Sequence, residues 1–255
     1  MKINKSASRA MDLLLIMSEQ QEPMTLLEIE HAMGMPKSST FELVHTMLEK
    51  EFLEQHDKKY ALGINAFKVG ISYLKRIDVV TVAHDILVEL SRITKETVFL
   101  GANIENQILY VDKHSSFADM ASTCKIGTTK ELYYTSLGKA ILATFSQEEL
   151  KMYFENSDYY KFNERTIVDL DQMIVECART REFGYAQEDR EGTSDSYCVG
   201  APILNHNNRA VAAISITSPH FRMTEERILE FGAMVAKAAL EVSRKIGYRG
   251  SELYK

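Results

Sequence analysis

Between Thr25 and Gly63 the chain carries start, stop and turn signals in an order that few folds can use. Thr25-Leu-Leu-Glu28 has the spacing of a capping box, in which the Thr25 hydroxyl takes a free backbone N–H and Glu28 reaches back. Leu26, Ile29 and Met33 (or Ala32) follow at helical spacing, and Gly34 stops the helix. After a three-residue turn, Pro36 suits the first turn of a second helix, where its missing N–H costs nothing. Lys37-Ser-Ser-Thr40 opens that helix, with Phe41, Val44, Leu48, and also Leu43 and Met47, expected to face the core. Two helices joined by a Gly-containing turn of this length form a helix-turn-helix, whose second helix sets N-terminal residues against base edges.

Two short strand-like runs follow, Phe52-Leu-Glu54 and Tyr60-Ala-Leu62, around the polar loop Gln55-His-Asp-Lys-Lys59. A hairpin with cations at its tip, placed after a recognition helix, is a wing that can lie along phosphates. The candidate DNA contacts are therefore Arg9, Lys37, Ser38, Ser39, Thr40, Lys58 and Lys59. The same pattern is also compatible with a small three-helix protein-interaction module, since helix-turn-helix units occur without DNA.

The net charge of −6 sits awkwardly with a DNA binder until it is mapped. Residues 1–76 hold ten basic and ten acidic residues, and the rest of the chain holds 20 basic and 26 acidic. The acidic excess thus belongs to the C-terminal part. A neutral head implies a modest non-specific electrostatic term, so two or more heads are expected to act together. The chain's 255 residues suffice for one large or two ordinary domains. No apolar run approaches the roughly 20 residues that span a bilayer, and the N-terminus lacks a signal-like apolar core. Cys124, Cys177 and Cys198 lie far apart, which suggests neither a disulfide framework nor a metal site. A cytoplasmic protein with no cofactor and no membrane partner is expected.

A first helix is read from Ser6 or Ser8 to Glu19, and another from Ile64 to Ile77 that is apolar on most of its circumference. Such a helix wants more than one neighbour, through dimerisation or through burial in its own chain. A helix with Val82, Ile86, Leu90 and Ile93 on its apolar face ends near Thr94. Thr97–Ala102 and Gln107–Val111 read as a hairpin around Glu105-Asn106, and Ala121–Ile126 as a weaker strand. Ser136 is placed as the cap of a short helix through Ala143, and Ser146-x-x-Glu149 is a second capping box. Asp169–Phe183 is amphipathic and closes at Gly184. Tyr197–Leu204 and Arg209–Thr217 form a second strand pair, and Thr224–Ile246 a long final helix. Strands in hairpins flanked by helices predict an α+β domain with an antiparallel sheet.

Three of these segments could converge on a pocket. Ser215 and Thr217 share one strand face, as do Cys198 and Gly200 on the neighbouring strand. The helix beginning Ser136-Leu-Gly138 has free first amides suited to an anion, with Lys130 and Glu188 as a cation and an acceptor. Isolated buried Ser, Thr and Cys are equally ordinary as core residues.

At this point the residues resemble the IclR-type transcriptional regulators, over essentially the whole chain. The resemblance rests on Ser8-Arg-Ala10, Met35-Pro-Lys-Ser-Ser39, Tyr60-Ala-Leu-Gly63, Leu137-Gly-Lys-Ala-Ile-Leu-Ala143 and Arg181-Glu-Phe-Gly-Tyr-Ala186. Its most specific segments are Cys198-Val-Gly-Ala-Pro-Ile203, Ala212-Ala-Ile-Ser-Ile216 and Glu230-Phe-Gly-Ala-Met-Val235. It implies a winged helix-turn-helix over residues 1–63, a linker and dimerisation helix over 64–78, and a GAF-like effector-binding domain over 79–250. It further implies a homodimer or a tetramer built as a dimer of dimers, bound to operator DNA and responsive to a small effector. The effector pocket carries over onto Ser136, Leu137, Glu188, Cys198, Ser215 and Thr217, with Lys130 on the closing loop. The chain departs from the usual pattern at Asp195, where Gly is usual, at Glu188, often Asp, and at Glu42, where Arg is common.

The resulting expectation is a ligand-responsive regulator, a repressor of a catabolic operon taking a small organic or sugar acid, and not an enzyme. The alternatives are an enzyme with Cys198 as nucleophile, for which His206, His114, His220 and His84 show no diagnostic motif, and a sensor acting through protein partners.

Overall fold

The computed structural model describes residues 3–20, 22–74, 78–115, 124–155 and 159–254. The chain divides into two compact units, Met1–Arg76 and Ile77–Lys255.

The first unit is built on helices α1 (Lys5–Glu19), α2 (Leu26–Met33) and α3 (Lys37–Glu49). The Thr25–Glu28 capping box forms in both directions: Glu28 N–H donates to Thr25 Oγ1 at 3.3 Å, and Thr25 N–H to Glu28 Oε2 at 2.7 Å. Gly34 takes the left-handed conformation at φ 58°, turning the chain into Pro36, which serves as the N-cap of α3 and not its first turn. The hairpin of β2 (Leu53–His56) and β3 (Lys59–Leu62) turns on Asp57 and Lys58, both at positive φ, which matches the strand twist of a two-residue turn. A short strand β1 (Met24–Thr25), not expected from the sequence, pairs with β3 and makes the wing three-stranded. Leu13, Met17, Met24, Ile29, Val44, Met47, Leu53 and Tyr60 form one buried cluster. The helix α4 (Ile64–Leu74) closes this unit.

One core expectation for α3 fails. Phe41 is 54% exposed, and Thr40 is fully buried in its place. Thr40, Val44 and Met47 recur at helical spacing and form the inward stripe, so Val44 and Met47 stand as expected and Thr40 takes the place expected for Phe41.

Among the described residues, the second unit is built on a six-stranded, wholly antiparallel sheet in the order β6-β5-β4-β9-β8-β7. Its strands are β4 (Thr97–Ile104), β5 (Gln107–His114), β6 (Thr129–Glu131), β7 (Ala186–Asp189), β8 (Ser196–Leu204) and β9 (Ala210–Pro219). The hairpin turn at Glu105-Asn106 forms as expected, both residues at positive φ. Both edge strands, β6 and β7, escaped the sequence reading, because three or four residues are too few to show alternation. Of the strand placed at 121–126, residues 121–123 lie outside the described residues, and Cys124–Ile126 are not strand.

One sheet face carries the fully buried Val199, Ile214 and Ile216 and is covered by α5 (Asp78–Thr94) and α9 (Glu225–Lys245). In α5 the buried stripe is Val79, Ala83, Leu87 and Leu90, while Ile93, expected inside, is 48% exposed. The opposite face meets α6 (Ser136–Leu142), with α7 (Gln147–Glu155) and α8 (Leu170–Phe183) outside it. The cap of α6 is Thr135, whose hydroxyl accepts from Gly138 N–H at 3.0 Å; Ser136 is the first helical residue. Gly200 lets this helix start lie against β8, since a Cβ there would sit 2.7 Å from the Ser136 carbonyl oxygen.

Candidate functional site

Two surfaces follow, one on each unit. On the first, Lys37 and Ser38 stand exposed at the start of α3, and Ser39 is half-buried. Thr40 is withdrawn: its hydroxyl donates to the Pro36 carbonyl at 3.1 Å inside the core, so its place among the candidate DNA contacts is corrected. The exposed side chains next along α3 are Phe41, Glu42 and His45, the first and last with ring centroids 6.1 Å apart. Arg9 on α1 is exposed, as are Lys58 and Lys59 at the wing tip. The Glu28 carboxyl is held below its ordinary range, first by the Thr25 backbone N–H, then by the Thr25 hydroxyl, with a smaller contribution from the Lys59 charge.

On the second unit the antiparallel register aligns the polar residues that alternation had placed on one face. Glu188 on β7 pairs with Cys198 on β8, Cys198 with Thr217 on β9, and Thr217 with Thr97 on β4. One rung along, Gly200 pairs with Ser215, and Ser215 with Phe99. Above these rungs a cleft of about 660 Å³ opens, and Lys130, Ser136, Glu188, Cys198, Ser215 and Thr217 all line it. Leu137 does not. It is buried, its Cδ1 atom 3.1 Å from where a Cβ on Gly101 would stand.

The sequence reading missed the aromatic part of this wall. Phe99, Tyr110, Tyr134 and Phe221 line the cleft, together with the 192–196 loop and His220. Phe99 was within reach of a register argument, since it follows from pairing Ser215 with the next strand. Tyr110 was not, because a bulge opposite Leu100/Gly101 resets the alternation of β5.

Burial sets the electrostatics. Glu188 is 4% exposed, and its Oε1 accepts from the backbone N–H of Glu191 at 2.6 Å and of Gly192 at 3.3 Å. Desolvation pushes its carboxyl up, against the opposing pull of the Cys198 thiol and those two amides. Desolvation also drives the Cys198 thiol well above its ordinary value, and the adjacent Glu188 charge adds to the rise. A thiol held protonated is the reverse of what an attacking cysteine requires. The phenol of Tyr134 is pushed up to about 12, chiefly by burial. Lys130 is half-buried on β6, its ammonium 5.8 Å from the centre of the Tyr110 ring. Below the cleft Lys139, 1% exposed, donates to Glu191 and to the Gln187 carbonyl at 3.3 Å, fastening α6 to β7 and the turn after it.

A wider cleft of about 1210 Å³ near the Glu105-Asn106 turn is lined by none of the candidate residues. Its charged pair, Arg209 and Glu149, is already joined at 2.6 Å. Among the described residues no helix is long and apolar enough to cross a membrane.

Both units have counterparts among known proteins. Residues 6–57 match the family described as the IclR helix-turn-helix domain, and residues 71–244 match the bacterial transcriptional regulator IclR C-terminal family. The HTH-type transcriptional regulator KdgR of Escherichia coli is 31% identical over 95% of this chain and 93% of its own. The transcriptional repressor IclR of the same organism is 30% identical over 95% of this chain and 90% of its own. The crystal structure of the Thermotoga maritima IclR superposes with a TM-score of 0.84 at 30% identity, covering 96% of this chain and 99% of that one.

Proposed function

The chain belongs to the IclR family of bacterial transcriptional regulators, and from that premise we propose that it is a ligand-responsive repressor of a catabolic operon. Residues 1–63 are the operator-binding head, 64–78 the linker and dimerisation helix, and 79–250 the effector domain. Arg9, Lys37, Ser38, Ser39, Lys58 and Lys59 make the DNA contacts. Lys130, Ser136, Glu188, Cys198, Ser215 and Thr217 hold the effector.

The observation that carries this reading is the convergence of six separately expected residues on one cleft, in a chain that also bears a helix-turn-helix with a polar, basic leading edge. The effector is a small organic or sugar acid. Lys130 supplies a countercharge, and the hydroxyls of Ser136, Ser215 and Thr217 supply partners for a ligand's polar substituents. Occupancy of the cleft shifts the spacing or mobility of paired heads, and a coupling of about 1–3 kcal/mol makes a usable switch.

The pairing element is α4, on which Ile64, Phe67 and Val69 are 50%, 62% and 59% exposed. The protein works in the cytoplasm as a homodimer or a dimer of dimers.

Fluorescence anisotropy against the DNA upstream of the gene tests the first half: saturable, salt-sensitive binding is expected, and no binding at low salt refutes it. Thermal-shift screening with organic and sugar acids tests the second. Stabilisation that is lost in Lys130→Ala supports the acid, whereas stabilisation by neutral or aromatic compounds alone rejects it.

A further inference from the structure

Away from the cleft, the α5 side of the sheet gathers three groups that the regulatory reading leaves unused. His84 lies on α5, and Asp112 and His114 lie two residues apart on β5. The bulge that resets β5 is what aims them. Tyr110 and Lys113 both reach Phe99 on the cleft face, the first ring-to-ring at 5.2 Å and the second with its ammonium 5.4 Å from the ring centre. With that phase shift, Asp112 and His114 fall on the opposite face, beside α5.

There His84 Nδ1 and His114 Nε2 each lie 3.2 Å from the same carboxylate oxygen, Asp112 Oδ2. One ligand atom from each residue falls within 4.8 Å of the others. The other carboxylate oxygen, Oδ1, accepts the Lys113 backbone N–H at 2.8 Å, which fixes the plane of the carboxylate.

We propose that His84, Asp112 and His114 form a binding site for a divalent transition cation of the zinc class, separate from the effector cleft. Two imidazoles and one carboxylate are the donor set that such an ion takes, with the fourth position left to water. Bonds of about 2.0–2.1 Å in a tetrahedral site put ligand atoms roughly 3.3 Å apart. Two of the three separations already have that value. The third closes by rotating His84, whose side chain is 53% exposed and whose ring already stands edge-on to that of His114, centroids 4.8 Å apart. The Lys113 amide is the kind of outer contact that orients a liganding carboxylate. An ion there ties the first helix of the second unit to β5, independently of DNA or effector.

The test uses the full chain, stripped with a chelator and titrated with Zn²⁺ by calorimetry and with Co²⁺ by visible absorption. One ion per chain is expected, with affinity at least about tenfold weaker in His84→Ala and in His114→Gln. The Co²⁺ spectrum should show d–d bands without thiolate charge transfer. His84 is half-exposed, so His84→Ala should keep the fold, which circular dichroism checks. Absent saturable binding, an unchanged affinity in a folded His84→Ala variant, or a thiolate charge-transfer band that moves the ion to a cysteine would each overturn the site.

Discussion

Thr217 Oγ1 donates to Cys198 Sγ across the β8–β9 pair at 3.3 Å, and the thiol on its other side faces the Glu188 carboxyl. The cysteine is thereby a link in the polar row that lines the cleft, its thiol held toward the protonated form. In the native protein its alkylation by iodoacetamide at pH 8 should be at least about tenfold slower than in the denatured chain, because the thiolate is the reacting form. Mass spectrometry of tryptic peptides reads this directly. Cys177, pushed up to about 12 by burial, should be similarly protected. Prompt native labelling of Cys198 would revive the enzymatic alternative.

The basic groups at the start of α3 and at the wing tip should fail in different ways. Lys37→Ala is expected to weaken operator binding roughly tenfold, about 1.4 kcal/mol. Removing Lys58 and Lys59 should lower the slope of log affinity against log salt by about one for each phosphate left without its cation. Thr40→Ala, although only three residues from Lys37, should lower thermal stability and leave sequence preference unchanged, because Thr40 is inside the core. Competition binding with scrambled DNA separates these outcomes.

Gly200 is where sheet and helix nearly touch. Gly200→Ala places a methyl 2.7 Å from the Ser136 carbonyl oxygen, a backbone atom that cannot swing away. Overpacking of this kind costs about 1–3 kcal/mol. The variant should melt earlier and lose the thermal shift given by any effector, while the isolated head chemistry at Lys37 is untouched. A variant of wild-type stability would show that α6 slides freely on β8.

The capping box makes the head acid-sensitive. The Glu28 carboxyl titrates below its unfolded value because it accepts from the Thr25 backbone N–H and, next, the Thr25 hydroxyl. A depressed carboxyl adds stability that is fully present above the unfolded value and is lost as pH falls through the folded one. Between neutral pH and the acid side of the carboxylate range, wild type should therefore lose more in melting temperature than Glu28→Gln. Parallel pH dependences would assign no such role to Glu28. The Ser146–Glu149 box carries the same sign, its carboxyl lowered first by the Ser146 backbone N–H and then by Arg209.

Much of the architecture was legible because its signals are local. Thr25, Glu28 and Gly34 state a helix's beginning and end within ten residues, and Asp57-Lys58 and Glu105-Asn106 state turns within two. Side-chain alternation put Ser215 with Thr217, and Cys198 with Gly200, on shared faces without any knowledge of which strand lay beside which. Where the reading slipped, the signal was short or ambiguous. Phe41 and Thr40 differ by one step of about 100° around α3, and the larger apolar residue was credited with the inward position. Thr135 and Ser136 are both good caps, and only the bond to Gly138 N–H chooses between them.

By itself, then, the sequence determined the helix-turn-helix, the three hairpin pairs, the polar faces and the family, since each depends on residues close along the chain or on a recognisable run of them. The tertiary structure alone decided that Leu137 turns into the core while Phe99, Tyr110 and Tyr134 wall the cleft. It also decided that His84 meets Asp112 and His114 across 28 residues of chain. Those outcomes depend on strand register, on one bulge in β5, and on the packing of α5 and α6 against opposite faces. Such contacts join residues distant in sequence, and spacing along the chain holds no record of them.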